Sequence, residues 1–139
     1  MIILDTNVLS ALMRSTADLA VIAWLDRQPA DSIWLTSVTV FEVRFGLALL
    51  PNSRRRLALE RAFASVLDDD LGNRILDFDS VAAAAAARLA ADRRRTGRPA
   101  DLRDTLIAGI AQARHATIAT RNTKHFAGLD VPVVDPWKA

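Results

Sequence analysis

Acidic side chains lie beside several apolar segments of this sequence, where they could meet in the folded chain. Asp5 directly follows the apolar run 2–4, Glu42 stands inside an apolar stretch, and Asp104 stands ahead of another. Carboxylates that converge in one cleft repel one another unless a cation joins them. Because Mg²⁺ and Mn²⁺ prefer oxygen ligands, these acids indicate a divalent-metal site as the candidate chemistry.

Composition excludes several other chemistries. The chain has 139 residues with no Cys, no Tyr and two His, so a disulfide scaffold, a thiolate metal site and a cysteine nucleophile are excluded. A zinc site is disfavoured for the same reason. The net charge is +2, and Arg supplies nearly all of the positive charge, which permits a nucleic-acid partner without demonstrating one.

Short apolar runs that alternate with helical patterns organise the whole chain. Five strands are predicted, at 2–4, 33–36, 74–78, 117–120 and 131–134. Helices are predicted at 8–13, 16–27, from a cap at Ser37 or Thr39 to Pro51, at 52–67, 80–95 and 99–114, with one turn at 122–126. This alternation predicts one α/β domain over residues 1–139 with a central, mostly parallel sheet of about five strands.

The topology of such a sheet brings the candidate residues together. In parallel α/β sheets, ligands bind beyond the carboxyl ends of the strands. Asp5 follows the first predicted strand, and Asn122 lies two residues after the fourth. Glu42 and Asp104 lie early in helices, near the same edge of the sheet. Asp104 shares a helix face with small alanine side chains, so this helix is expected to approach the sheet closely.

Each of these residues also has a purely structural interpretation. Asp5 could cap the first helix, and Asn122 could cap the short turn that follows it. Glu42 could be an ordinary exposed helix residue, and Asp104 could be an acid that favours a helix N-terminus. Asp101 is predicted to be such an acid, or an N-cap, rather than a ligand.

Other conspicuous residues favour structural roles. The arginine runs 54–56 and 93–95 are predicted to be solvated helix faces, whereas Arg121 is a better candidate to bind a phosphate or to pair with an acid. Both histidines are predicted to be surface residues rather than bases. One apolar stripe at helical spacing is predicted to be either core or a dimer interface, and comprises Phe41, Phe45 and Leu49.

Four motifs, in order along the chain, resemble those of a PIN-domain nuclease. They are Ile-Leu-Asp-Thr-Asn at 3–7, Thr-Val-Phe-Glu-Val-Arg-Phe-Gly at 39–46, Asp-Thr-Leu-Ile-Ala-Gly at 104–109, and Ala-Thr-Arg-Asn at 119–122 followed by Phe126. Their spacing is similar to that of VapC-type toxins of type II toxin–antitoxin modules, and in particular to the FitB branch with its Pro-Trp ending. The resemblance covers essentially the whole chain.

The resemblance implies a PIN-like α/β/α sandwich and Mg²⁺- or Mn²⁺-dependent hydrolysis of RNA. It implies that Asp5 and Asp104 bind the metal and that Glu42 orients or deprotonates the attacking water. Asn122 takes the fourth position of an acidic quartet, where many members have Asp, so the quartet is one charge short. Three further hydrogen-bonding residues are implied around the ligands, namely Thr6, Asn7 and Thr120.

The resemblance also implies partners, which are a cognate antitoxin that blocks the cleft, an RNA substrate and a second copy of the chain. The longest uncharged run, at 32–41, is about half the length of a membrane span, so a cytoplasmic protein without a membrane anchor is expected. Two alternatives remain open. A haloacid-dehalogenase-type phosphatase also has Asp after its first strand, but usually a second Asp where Asn7 stands. A catalytically weak PIN-like module that binds RNA or a partner is favoured by Asn122.

Overall fold

A five-stranded parallel sheet forms the centre of this computed structural model, which describes residues 1–14, 16 and 18–139. The strands found in these residues are β1 (Ile2–Leu4), β2 (Ile33–Thr36), β3 (Ile75–Leu76), β4 (Thr117–Ala119) and β5 (Val133–Val134). Their order is β3-β2-β1-β4-β5, and every neighbouring pair is parallel. The expected α/β fold with a mostly parallel sheet of about five strands is confirmed.

Helices cover both faces of the sheet. The part of the chain that the structure describes contains seven α-helices: α1 (Thr6–Met13), α2 (Leu19–Asp26), α3 (Ser37–Leu49), α4 (Arg54–Ser65), α5 (Ser80–Arg95), α6 (Leu102–Arg114) and α7 (Thr123–Phe126). A short 3-10 turn (Ala30–Ser32) precedes β2, and a π-helical turn (Val66–Asp70) follows α4. None of the described helices is long and apolar enough to cross a membrane.

The apolar core lies in two layers, one on each face of the sheet. Ile3 and Leu4 are neighbours in β1 and both are fully buried. Because successive side chains of a strand point to opposite faces, Leu4 joins the layer that contains Phe63 of α4, and Ile3 joins the layer that contains Phe126 of α7. This burial on both sides explains why the run 2–4 is apolar throughout.

Several elements are shorter than predicted, as β3 and α2 illustrate. β3 comprises Ile75–Leu76 instead of 74–78, and α2 begins at Leu19 instead of residue 16. Residue 17 of that predicted helix lies outside the described residues. The other elements begin and end within a few residues of their predicted positions, so the order of strands and helices along the chain is as predicted.

The cap of α3 is Thr36, and the predicted caps Ser37 and Thr39 are wrong. The Thr36 hydroxyl oxygen accepts a hydrogen bond from the Thr39 N–H at 3.1 Å. The Ser37 hydroxyl oxygen instead accepts from the Phe78 N–H at 3.0 Å, which ties the start of α3 to the segment after β3. The helix that carries Glu42 is thereby anchored at the carboxyl ends of two strands.

Helices α5 and α6 are in close contact at Gly109. A Cβ atom at this position would lie 2.6 Å from the Ala86 Cβ and 2.7 Å from the Ala82 carbonyl oxygen. Ala108 and Ala111 of α6 are fully buried. Small side chains therefore let α6 approach both its helical neighbour and the sheet, as the sequence predicted for the helix that carries Asp104.

Candidate active site

Asp5 lies between the end of β1 and the start of α1 and is only 2% exposed. One of its carboxylate oxygens, Oδ1, accepts a hydrogen bond from the Thr6 N–H at 2.8 Å, so Asp5 does cap α1. The other, Oδ2, accepts from the Thr120 hydroxyl at 2.7 Å and from the Asn7 side-chain amide at 3.4 Å. Capping and a role in the site are therefore compatible, because the same carboxylate also lines an open cleft.

Asn7 and Thr120 hold Asp5 in one orientation. The Asn7 side-chain NH₂ group donates to the Thr120 hydroxyl oxygen at 3.1 Å. The Asn7 side-chain oxygen, Oδ1, accepts from the Arg121 backbone N–H at 3.0 Å. Thr120 directly follows β4 and is fully buried. These contacts link the end of β1 to the end of β4. All three implied hydrogen-bonding residues, Thr6, Asn7 and Thr120, donate a hydrogen bond to Asp5.

Asp104 lies in the first turn of α6 and is 5% exposed. Burial raises the pKa of its carboxyl, and the nearby carboxylate of Asp101 adds to this, while the hydrogen bond and positive charge of Arg103 partly offset the rise. Asp101 is the N-cap of α6, since its side chain accepts from the N–H groups of Arg103 and Asp104 at 2.9 and 3.4 Å. The prediction that Asp101 is a cap is confirmed.

Glu42 reaches the same cleft from α3. Its side chain is half-buried, and its Oε1 accepts a hydrogen bond from the Thr6 hydroxyl at 2.9 Å. Thr6 therefore connects the start of α1 to α3, and the ordinary exposed-helix interpretation of Glu42 is wrong. The three acids that the sequence singled out, separated by up to 99 positions in the chain, line one cleft of about 380 Å³.

Arg103 joins these three acids, and sequence reasoning did not single it out. Its guanidinium is ion-paired with Asp5, with Glu42 at 2.5 Å and with Asp104 at 2.7 Å. Burial disfavours the charged form of Arg103, but hydrogen bonds and attraction from Asp5 and Glu42 outweigh it, so the pKa of Arg103 lies above its ordinary value. The only signal in the sequence was its position next to Asp104.

Asn122 and His125 line the same cleft but stand at its exposed rim. The Asn122 N–H donates to the Thr120 hydroxyl oxygen at 3.0 Å, while no cap bond from its side chain is found in α7. Asn122 therefore occupies the N-cap position of α7, and its backbone carbonyl oxygen accepts from the His125 N–H at 3.0 Å, but its side chain makes no cap hydrogen bond. His125 Nδ1 lies 3.6 Å from Asp104 Oδ2, and the His125 side chain is mostly exposed, as predicted.

The chemistry of this donor set suits a divalent cation. Asp5, Glu42 and Asp104 offer only oxygen atoms, and together they already enclose one cation, the Arg103 guanidinium. Within the described residues, no three Asp, Glu or His side chains are close enough to share one metal ion as they stand. The three carboxylates are spaced around the Arg103 guanidinium instead.

Comparison with known proteins gives this fold and site a family. Residues 2–131 match the model of the PIN domain. The chain is 36% identical to the VapC ribonuclease Y4jK of Sinorhizobium fredii and 39% identical to the toxin FitB of Neisseria gonorrhoeae, over 99% of each chain in both cases. The crystal structure of FitAcB from Neisseria gonorrhoeae superimposes with a TM-score of 0.89 at 35% identity over the whole of both chains.

The chain belongs to the PIN-domain family. Within that family it is similar to the VapC and FitB toxins, as the four motifs indicated. This assignment excludes the haloacid-dehalogenase-type phosphatase as an alternative. It leaves the role of each site residue a prediction, because family membership does not test the individual side chains.

Proposed function

We propose that this protein is a divalent-metal-dependent endoribonuclease and the toxin of a toxin–antitoxin pair. The observation that carries the proposal is the meeting of Asp5, Glu42 and Asp104 around one cation in an open cleft. The similarity to a VapC ribonuclease and to a toxin supports it. The cleft lies beyond the carboxyl ends of β1 and β4, where parallel sheets bind ligands.

Asp5 and Asp104 are the proposed ligands of Mg²⁺ or Mn²⁺, because both carboxylates are buried and point at the same cation position. A divalent cation bound there supplies charge stabilisation of the scissile phosphate and a more acidic water. Thr120 and Asn7 would fix the Asp5 carboxylate through the hydrogen bonds described above. Such outer partners orient metal ligands and are typically important for affinity.

Glu42 is the proposed base because it is the least buried of the three acids. Its carboxylate would orient the attacking water and accept its proton, and the Thr6 hydroxyl would hold it in position. Asn122 lies at the exposed rim of the same cleft and would contribute a carbonyl oxygen to orient water.

RNA is the proposed substrate, and Arg121 is the proposed phosphate contact beside the site. Its backbone N–H donates to the side chain of Asn7, which lines the cleft, and its exposed guanidinium stacks on the Trp137 ring, with the guanidinium carbon 4.5 Å from the ring centre. A guanidinium in such a position can donate two parallel hydrogen bonds to a phosphate.

A cleavage assay with controlled metal content tests the proposed function. Purified protein is expected to cut a pool of structured RNAs with Mg²⁺ or Mn²⁺, to lose the activity in excess EDTA, and to regain it when Mn²⁺ is restored. Undiminished cleavage in EDTA would contradict metal dependence. RNA binding without cleavage at any metal concentration would instead favour the non-catalytic module.

The proposed protein partner is a cognate antitoxin that covers the cleft in the cytoplasm and places an Arg or Lys near the acids. The open, acid-lined cleft supports this, because a basic side chain of a partner would meet complementary charge there. The resemblance to type II toxin–antitoxin modules supports the same partner.

A second copy of the chain is the proposed partner of the apolar stripe on α3. Phe41, Phe45 and Leu49 are 66%, 56% and 70% exposed, so the alternative in which the stripe is core is wrong. The Phe41 and Phe45 rings stack with their centres 5.9 Å apart and form a continuous apolar surface. A surface of this kind is typical of a protein–protein interface.

The double variant Phe45→Glu/Leu49→Glu is therefore expected to be monomeric where the wild type is dimeric. Charges at the centre of an apolar interface would be desolvated without a partner, which disfavours association. Sedimentation velocity measures the change, and circular dichroism checks the fold. Val81→Glu, at another exposed apolar position on α5, is the control and should leave the mass unchanged. A double variant that still sediments as a dimer would place the interface elsewhere.

A further inference from the structure

We propose that Arg103 is a built-in competitor of the divalent cation, which holds the three carboxylates together in the metal-free protein and has to leave them when the ion binds. Arg103 would thus be a positioning residue that sets the metal concentration at which the site is occupied. This inference rests on the proposed function, because it takes the Asp5–Asp104 cleft to be the metal site.

Every nitrogen of the Arg103 guanidinium has a partner in the site. Nε is paired with Glu42 Oε1 at 2.5 Å, and Nη1 with Asp104 Oδ1 at 2.7 Å. Nη2 is paired with Asp5 Oδ1 and also donates to the Thr6 hydroxyl oxygen at 2.8 Å. The guanidinium therefore uses its whole planar fork on the three acids, instead of pairing with one of them and extending into solvent.

The charges in the cleft explain why a cation is needed when no metal is bound. Asp5 and Asp104 are buried, so solvent screens their mutual repulsion weakly. Of the other titratable groups that line this cleft, Asp101 adds negative charge and His125 stands 3.6 Å from Asp104. Arg103 thus supplies the permanent positive charge that offsets the negative charge of the three carboxylates.

The same contacts make Arg103 and a metal ion competitors for the Oδ1 atoms of Asp5 and Asp104. The Oδ1 atoms of both Asp5 and Asp104 are bound by the guanidinium, while Asp5 Oδ2 already accepts from Thr120. An ion that used these oxygens would need distances of about 2.0–2.1 Å for Mg²⁺, which leaves no room for nitrogen atoms between them. The apparent affinity for metal is then the intrinsic affinity multiplied by the fraction of molecules in which the acids are free of Arg103, so it is lower than the intrinsic affinity.

Arg103 can leave the acids without a change of the backbone. It lies in the first turn of α6, and its side chain is 25% exposed at the opening of the cleft. Rotation of a long side chain toward solvent is a fast local motion that needs no helix movement. The fold therefore permits a site assembled around Arg103 and a site in which the metal replaces it.

Calorimetric titration of the full chain with Mn²⁺ tests this inference. Arg103→Ala is expected to bind Mn²⁺ at least about tenfold more tightly than the wild type, because the competing cation is gone. Lys124→Ala is the matched control, since it removes one exposed positive charge from α7 next to His125, which lines the cleft, while Lys124 itself does not line it. Its Mn²⁺ affinity should change by less than about threefold, the scale of a screened surface charge.

Thermal unfolding in EDTA and in Mn²⁺ supplies a second readout. Without metal, Arg103→Ala should unfold at a lower temperature than the wild type, because the acids then repel one another unopposed. Added Mn²⁺ should raise its unfolding temperature more than that of the wild type. Arg103→Lys keeps the positive charge without the planar guanidinium, and its Mn²⁺ affinity should lie between those of the wild type and Arg103→Ala.

The outcomes separate this inference from the proposed function. If the wild type binds Mn²⁺ and Arg103→Ala binds it no more tightly, Arg103 is only structural and the inference is overturned while the metal site stands. If neither protein binds Mn²⁺ and the wild type cuts RNA in EDTA, the proposed metal site fails and the inference fails with it. If Arg103→Ala does not fold, Arg103→Gln takes its place in the same titration with the same expected tightening.

Discussion

Asp5→Asn and Asp104→Asn are each expected to slow metal-dependent RNA cleavage by at least about a hundredfold, because a metal ion contributes several kcal/mol to such a reaction. Each change keeps the shape of the side chain and removes the charge that is proposed to hold the ion. Single-turnover cleavage of a labelled RNA in Mn²⁺ measures the effect. Saturating Mn²⁺ should recover part of the activity if the loss is mainly one of metal affinity.

These variants are expected to remain folded. Burial raises the pKa of Asp104, which means that folding disfavours its charged form, so a neutral amide removes that penalty at neutral pH. An amide oxygen at position 5 can still accept the hydrogen bond that caps α1. The unfolding temperature of Asp104→Asn should therefore change little, whereas Asp5→Asn loses the acceptor of the Thr120 and Asn7 donors and should unfold at a somewhat lower temperature. Unfolding of either variant at the assay temperature would mean that lost activity reports lost structure.

Asp101→Asn is the matched control for this pair. Asp101 lines the same cleft and lies three positions before Asp104, but its side chain caps α6. Asn is about as good an N-cap as Asp, so the helix should be retained. Cleavage within about threefold of the wild type is expected. An equal loss of cleavage rate in all three variants would show that the cleft needs only negative charge. Wild-type cleavage rates in Asp5→Asn and Asp104→Asn would refute the assignment of these residues as metal ligands.

The meeting of the three acids was predictable because it follows from local signals and one rule of topology. The apolar run 2–4 indicated a strand that is buried on both faces, and such strands belong to parallel sheets. In parallel sheets the residues after each strand gather at one edge. The sequence therefore predicted that Asp5, Glu42 and Asp104 lie close together, although it gave no distances between them.

The position of the Arg103 side chain was not predictable in the same way. A residue in the first turn of a helix can extend into solvent or fold back over the strand ends, and the pattern of α6 permits both. Its conformation depends on Asp5 and Glu42, which lie 98 and 61 positions away in the chain. Contacts that several distant segments create jointly leave no periodic signal in any one of them.

The apolar stripe on α3 shows a second limit of the sequence. Spacing by four residues places Phe41, Phe45 and Leu49 on one face of a helix, and the structure confirms that face. The spacing is the same whether the face is covered by the chain's own core or by another molecule. The two possibilities are distinguished only by the fold of the rest of the chain, which leaves this face exposed.

Gly109→Ala is expected to lower the free energy of unfolding by about 1–3 kcal/mol, the usual effect of overpacking a tight contact. A methyl group there would lie 2.6 Å from the Ala86 Cβ, 2.7 Å from the Ala82 carbonyl oxygen and 2.9 Å from the Ala86 backbone nitrogen. Two of these three atoms belong to the backbone of α5, so a side-chain rotation cannot relieve the clash and the two helices have to separate. Urea unfolding followed by circular dichroism measures the change.

Gly46→Ala makes the same substitution inside α3 and should have the opposite effect. A Cβ atom at Gly46 would meet no described atom within 4 Å, so only helix propensity changes, and stability should rise by about 0.5–1 kcal/mol. Opposite signs for one chemical change would isolate packing as the cause at Gly109. Because α6 also carries Arg103 and Asp104, displacement of this helix in Gly109→Ala should slow RNA cleavage as well. A Gly109→Ala variant as stable as the wild type would show that the contact between α5 and α6 can accept a methyl group.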